Sequence, residues 1–380
     1  MSARLRRRRT PFIRSTSPSL RESSLARFYL VAYVLLVAYA SLYPLAGWRD
    51  PGGSAFAFLA APWPRYVTAF DLGANFLGYL PVGLLCVLAL RPRLRPMVAV
   101  LLAVAGAAAL SLALEAVQSF LPARIASNVD VIANVAGAAC GALAGAWLAP
   151  GLLGGGPLQR LRAEAVASGT AADLGLTLLG LWLFAQLNPA TLLFGTGDLR
   201  DLFSGAVGER HAAELFVSVE AVTTAANLAA VALLASAGVH EGAPVRRLVA
   251  ALIVVALAVK TLAFAILMQA ENVFAWLTPG ALLGLAAGAV LAFAAMRLPR
   301  IARLALAAAL LMAATVLVNL SPPNPYFAAT LKVWEQGHFL NFNGLTRLVS
   351  AAWPFAALVY LVYLSGAQRR SRSSNRDPVR

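Results

Sequence analysis

Cysteine, histidine and acidic residues are all scarce in this chain, and each scarcity excludes something. The 380 residues include 2 Cys, 3 His and 16 Asp or Glu. Cys86 and Cys140 both fall inside apolar runs, which argues against a disulfide framework and against a Cys/His metal centre. His211, His240 and His338 are scattered along the chain. No Ser/His/Asp or Cys/His order suited to nucleophilic catalysis is present, and no glycine-rich phosphate loop. Long polar stretches are also missing: no connection between apolar runs exceeds about 23 residues, so there is no room for a soluble catalytic domain. Neither a cofactor nor a metal is expected, and any chemistry must take place in a membrane or at its surface.

What is abundant is apolar residues. The chain is 60% hydrophobic and 12% charged, with a mean hydropathy of +0.74. Runs of about 20 apolar residues, the length needed to cross a bilayer, recur at 26–46, 70–90, 97–120, 129–149, 171–194, 213–237, 247–270, 274–296, 302–320 and 345–365. The expectation is an all-α polytopic membrane protein of ten transmembrane helices. The first run follows a basic stretch, but it lacks a small-x-small cleavage site and is read as a retained span. The net charge of +15 would suggest nucleic acid in a soluble chain. Here it follows topology instead. Of 31 basic residues, 23 lie on one side if both termini are cytoplasmic, 7 lie on the other, and Lys260 is within a span. An even number of spans with both tails (1–25 and 366–380) inside satisfies the positive-inside rule at every loop. Membrane lipids are therefore the expected partners, nucleic acid is not, and a bacterial inner membrane is the expected location.

The chain also echoes itself. The first, fifth and ninth runs end Ser41-Leu42-Tyr43-Pro44, Gln186-Leu187-Asn188-Pro189 and Asn319-Leu320-Ser321-Pro322. Proline stops each helix, and the polar residue three positions earlier can satisfy freed backbone groups. Gly137, Gly141 and Gly145 in the fourth run match Gly280, Gly284 and Gly288 in the eighth. Glycines four apart line one helix face and allow close approach of another backbone. The expected organisation is a four-span unit (26–150), a degenerate second copy (171–296) and a C-terminal pair (302–365). In the second copy, Gln269 and Asn272 fall near the positions of Glu115 and Gln118, while Val273 and Leu277 replace Asp130 and Asn134. That makes the first copy the carrier of any site.

Three acids sit where membrane spans usually exclude charge: Asp71, Glu115 and Asp130. Each has a carboxamide one turn further on, giving Asp71/Asn75, Glu115/Gln118 and Asp130/Asn134, and each pair shares a helix face. With the spans oriented as above, all six lie within about 10 Å of the outer interface. Ser111 shares the Glu115 face, and Arg124 lies in the short loop between the third and fourth runs. Charges inside spans are costly and mark either function or assembly. A shared proton, a cation, or a cationic or polar-headed ligand would all fit crowded carboxylates. An Arg124 tie that merely holds three helices together would fit as well. Pro81 and Gly83 follow Asn75 in the second run, and a kink is expected there.

The series Asp71, Asn75, Pro81, Gly83, Glu115, Gln118, Arg124, Asp130, Asn134, Gly137 and Gly141 resembles the VanZ-like membrane family over roughly residues 30–149. That family takes its name from a protein of glycopeptide-resistance clusters that confers low-level teicoplanin resistance. The resemblance implies membrane location and a possible link to the cell envelope or antibiotic resistance. The six further runs depart from the family core.

Two more features stand apart. Lys260 is near the middle of the seventh run, where a lysine costs about 2.5–3.5 kcal/mol on insertion scales, and Glu220 of the sixth run is its expected partner. The loop 321–344 carries Pro322, Pro323, Asn324, Pro325, Tyr326, Trp334, Phe339 and Phe342, a composition suited to interfacial anchoring, with a lid over the outer cluster as the less favoured reading. The functional expectation is binding or transport of an envelope lipid or glycolipid at the outer leaflet, and enzyme activity is the less favoured reading. A membrane-embedded hydrolase or transferase using Glu115 or Asp130 as general base, and a structural partner of envelope proteins, are the alternatives.

Overall fold

The computed structural model describes residues 24–64, 67–200, 213–240, 242–267, 273–322 and 340–374. These form eleven α-helices: α1 (Ser24–Leu42), α2 (Ala69–Leu90), α3 (Pro96–Gln118), α4 (Asn128–Leu153), α5 (Pro157–Ala165), α6 (Thr170–Ala185), α7 (Ala213–Ala237), α8 (Val245–Leu267), α9 (Pro279–Ala295), α10 (Arg300–Leu320) and α11 (Leu340–Ser374). A short 3₁₀ turn, Ala57–Ala60, lies between α1 and α2. No strand occurs among the described residues, so the all-α expectation holds. Eight helices (α1, α2, α3, α4, α7, α8, α10 and α11) are long and apolar enough to cross a membrane.

Two expected spans come out differently. The run 171–194 is not one helix, since α6 ends at Ala185 after 16 residues. The run 274–296 becomes α9, which starts at Pro279 and has 17 residues. At 1.5 Å per residue, each is about 24–26 Å long, short of a hydrocarbon core of about 30 Å. The start of α9 has a local cause: Thr278 caps it, accepting from the Ala281 amide at 3.0 Å, and Pro279 takes the first-turn position where a missing N–H costs nothing. The last run is longer than expected, with α11 continuing to Ser374 through Pro354.

Two parallel helix pairs form the frame, and glycine makes both. A Cβ on Gly137 would lie 2.0 Å from the Phe76 carbonyl oxygen, and one on Gly141 would lie 1.9 Å from that of Leu80. Gly145 meets Leu84 in the same way. The offset stays at 61 residues, so α2 and α4 run parallel with backbones touching. Gly83 of α2 reciprocates against the Ala138 carbonyl, where a Cβ would meet oxygen at 1.9 Å. In the second pair, Gly280, Gly284 and Gly288 of α9 face Val217, Ala221 and Ala225 of α7, at a constant offset of 63. Pro81 lies within the first seam, and the Tyr33 hydroxyl of α1 bonds the Gly78 carbonyl nearby at 3.0 Å.

Around these pairs, α3 returns antiparallel beside α4, and α1 lies between the two halves, touching α2, α3, α6 and α11. At the end opposite the acids, buried Asp173 of α6 accepts from Ser24 of α1 and pairs with Arg162 of α5. There the α5–α6 and α7–α8 connections also exchange backbone hydrogen bonds, Ala167 to Gly238 at 2.9 Å and His240 to Ala165 at 3.1 Å. The largest apolar core surrounds Trp182, Phe194, Leu233, Phe264, Leu311 and Trp353, all fully buried.

Candidate functional site

The acids collect at the end where α2 and α4 begin. Thr68 caps α2: its Oγ1 accepts from the Asp71 amide at 3.0 Å and donates to Asp71 Oδ2 at 2.6 Å. Ser127 caps α4, accepting from the Val129 amide at 3.2 Å. Because α2 and α4 are parallel neighbours, two positive helix termini face the same way. That is the physical reason carboxylates gather here. Asp71 is in the first turn of α2 and Asp130 in the first turn of α4. Glu115 arrives from the last turn of α3, and its Oε2 accepts the Ser127 backbone N–H at 2.9 Å. A residue from a neighbouring helix thus takes the acceptor role that a capping box fills from within one helix.

The polar groups grade inward. Asp71 is exposed, Asn75 and Asp130 are half-buried, and Glu115 is 4% exposed. Asn75 and Asp71 both lie within electrostatic reach of the Asp130 carboxylate. Deeper still, Asn134 Nδ2 donates to Ser111 Oγ at 2.9 Å, joining α4 to α3. The Asn134 Oδ1 atom is buried without a partner, and so is the Tyr79 hydroxyl, which lies beside Ser111 without a well-formed bond. From Asp71 to Tyr79 is two helical turns, about 12 Å. Asp71, Asn75 and Tyr79 are spaced by four, so Tyr79 was legible as the next residue on that face.

Gln118 and Arg124 do something else. Gln118 Nε2 donates to the Ser41 carbonyl at 2.9 Å. Arg124 donates through Nε to the Tyr43 carbonyl at 2.9 Å and through Nη2 to that of Ala40 at 2.8 Å. Both clasp the open end of α1, where the last carbonyls have no helical donors. Burial draws the Arg124 guanidinium below its ordinary pKa, and nearby Glu115 opposes this. The guanidinium stays charged at any physiological pH. Its geometry is that of a helix clasp, within electrostatic reach of Glu115 but bonded to backbone. Arg65 lies outside the described residues, as do Gln269, Asn272 and most of the 321–344 loop.

Lys260 is fully buried, and its direct partners are not the expected ones. Its ammonium donates to the Asn188 carbonyl at 2.7 Å, the Thr191 carbonyl at 2.8 Å and Thr191 Oγ1 at 3.2 Å. Those three bonds use all its donors. Glu220 is within electrostatic reach, beside Thr278 at the start of α9. The carbonyls belong to the irregular stretch after α6, where Gln186, Asn188, Leu193, Phe194 and Thr196 are all buried. Non-helical backbone at such depth survives only where protein groups satisfy it. Thr224 of α7 donates to the Leu193 carbonyl, Asn319 of α10 bonds Gly197 and Leu199, and the Ser350 carbonyl of α11 accepts from the Gly197 amide. The Gln186-to-Pro189 pattern marks this break. The groups that satisfy it come from four distant helices, and no local signal points to them.

These features define a multi-pass α-helical membrane protein with a polar cluster at one end of its first helix group. Residues 19–149, from α1 through most of α4, match the VanZ/LLP1 family, and over that segment the chain is similar to it. No curated protein and no solved structure matches the chain.

Proposed function

We propose that the VanZ-like unit binds or moves an envelope lipid or glycolipid at the outer leaflet, with both termini cytoplasmic in a bacterial inner membrane. The observation that carries this reading is the gradient itself. Carboxylates and amides from α2, α3 and α4 run from exposed Asp71 to buried Glu115 and Asn134 at the head of two parallel helices. A purely structural tie needs no opening to the surface. Asp71, Asp130 and Glu115 supply charge, and Asn75 and Asn134 orient the ligand. Gln118 and Arg124 hold α1 against the site.

The second glycine-seamed pair supports a division of labour. In the first unit Arg124 caps the carbonyl of Tyr43, the residue before Pro44; in the second, Lys260 caps that of Asn188, the residue before Pro189. The α7/α9 region, read as a degenerate copy, balances one lysine with one acid. The same scaffold is therefore built there without the three-acid cluster.

The test is to purify the full chain from its native membrane and identify co-purifying lipid by mass spectrometry, for wild type and Glu115→Gln. Expected is a specific lipid retained by wild type and lost from a variant that melts normally. Loss of folded protein in Glu115→Gln would favour a structural role, and turnover of a lipid-linked phosphate would favour a hydrolase or transferase. A link to glycopeptide resistance rests on the family resemblance alone.

A further inference from the structure

The second helix group carries a groove of its own, at the end opposite the acids. Leu176 and Leu179 of α6 form one wall, and Leu248 and Leu252 of α8 form the other. Leu234 of α7 and Tyr360 of α11 lie between them as its floor. The gap exists because α8 leans on α7 and has no extended contact with α6. Val166 and Val239, paired in a single antiparallel bridge, line its inner end. From Ala172 to Leu179 the α6 wall is about 10 Å long, within the depth of one leaflet of a hydrocarbon core about 30 Å thick.

The cavity holds about 160 Å³. Tyr360 has the only polar side chain in its lining, and that hydroxyl already donates to the Ala171 carbonyl at 2.8 Å. An apolar cavity of this size stays dry and accepts an apolar guest. The leucine walls are half-buried, so the groove opens between α6 and α8 and is not sealed. In a bilayer, a hydrocarbon chain fills it. The charge at its mouth selects the lipid that supplies that chain. The segments at this end, 157–173, 238–247 and 296–303, hold seven arginines against Glu164, Asp173 and Glu241, a surplus of four positive charges. Protonating an acid would only enlarge that surplus. Arg246 and Arg247 are exposed in the first turn of α8, directly before Leu248. Helices α6 and α8 both begin here, with their positive ends. The negative end of α7 between them is answered within the protein. Arg300 Nη2 donates to the Ala237 carbonyl at 3.2 Å, and the Ala167 amide donates to that of Gly238 at 2.9 Å.

We infer that this groove takes one acyl chain of an anionic phospholipid from the cytoplasmic leaflet, with the phosphate at Arg246 and Arg247. Basic pockets between helices on the cytoplasmic side are where acidic headgroups bind. The inference adds a second lipid site to the outer one, and takes from that reading only the orientation of the membrane. The N-terminal tail, 1–23, does not suit the groove: it holds seven arginines against Glu22, and the rim repels it. A second copy of the chain in the same orientation brings the same positive charge to the contact.

The experiment uses the full chain in detergent micelles, where orientation plays no part, titrated with phosphatidylglycerol and phosphatidylcholine of identical acyl chains. Native mass spectrometry counts the bound lipid, and hydrogen exchange locates it. Expected is saturable phosphatidylglycerol binding about tenfold tighter than that of phosphatidylcholine, the effect of two arginines beside a headgroup. Exchange at 165–167 and 238–252 should slow as phosphatidylglycerol binds. Arg246→Ala combined with Arg247→Ala should level the two lipids. Ala235→Phe, which fills the groove from α7, should abolish saturable binding while the variant melts within a few degrees of wild type. If it does not fold, Leu179→Trp fills the groove from the α6 wall. Glu115→Gln, in the outer cluster, should leave this binding unchanged. Equal affinity for the two lipids in wild type would overturn the inference, as would unchanged binding with the groove filled or unchanged exchange at its walls. Displacement of the lipid by inorganic phosphate alone would mean that the arginines hold a free anion, and loss of a dimer on filling would mean that a second copy occupies the groove; either overturns it. Binding lost in Glu115→Gln but kept with the groove filled would assign the lipid to the outer site only. The converse pattern leaves the inference standing whatever becomes of the outer site.

Discussion

Replacing Gly141 by alanine adds one methyl group and should push α2 and α4 away from each other. That Cβ would lie 1.9 Å from the Leu80 carbonyl oxygen and 2.8 Å from its carbon, both backbone atoms. Neither can rotate away as a side chain would. To reach even 3.0 Å, the helices must separate locally by about 1 Å, and a gap of that size forfeits roughly a quarter to a half of each dispersion contact along the seam. Overpacking of this kind costs about 1–3 kcal/mol, or on the order of 2–6 °C in melting temperature for a chain of this size. Gly78 on α2 is the control: nothing lies within 4 Å of a Cβ there. Gly78→Ala should be neutral or stabilising by up to about 1 kcal/mol, since glycine inside a helix carries an entropic penalty. The assay is thermal unfolding of both variants in the same detergent. Equal melting temperatures for Gly141→Ala and Gly78→Ala would refute backbone contact between α2 and α4.

Lys260→Met should lower the melting temperature and speed hydrogen exchange across 186–199, because it leaves the buried Asn188 and Thr191 carbonyls without donors, at about 1–3 kcal/mol each; unchanged exchange there would show that the ammonium does not hold this stretch. Arg124→Ala should release the Ala40 and Tyr43 carbonyls and loosen the end of α1, a loss of about 1–3 kcal/mol that Gln118→Ala should deepen; protection at 40–45 equal to wild type would count against the clasp. Asp198 gives a pH test: burial alone would raise its pKa, but Arg200, donating through Nε and Nη2, holds it below the usual carboxylate range, with Arg347 adding to the effect. A depressed folded pKa gives stability that is present above the unfolded value of about 3.9 and is lost as pH falls below it. Wild type should therefore melt slightly above Asp198→Asn at neutral pH and converge with it as pH falls well below about 3.9, and a difference that persists undiminished in acid would refute the pairing.

Sequence by itself determined the membrane class, because runs of about 20 apolar residues have no other economical use. It determined the polar faces too. Spacings of three and four put Asp71 with Asn75 and Asp130 with Asn134 on single helix faces before any fold is known. The glycine triplets announced two close backbone approaches. Periodicity cannot say which helix a glycine meets. Only the tertiary structure decided that α4 lies on α2 and α9 on α7, each two helices back and parallel. Sequence also could not divide the polar residues by role. Arg124 and Glu115 are nine residues apart and opposite in charge, so pairing is the natural expectation. In the folded chain Arg124 turns to the unsatisfied carbonyls of α1, while Glu115 turns to the Ser127 amide. The reason is general: a buried backbone group must find a partner wherever the fold leaves it, and where it is left is a property of three dimensions. The same rule broke the 171–194 run after Ala185 and supplied it with a lysine from α8.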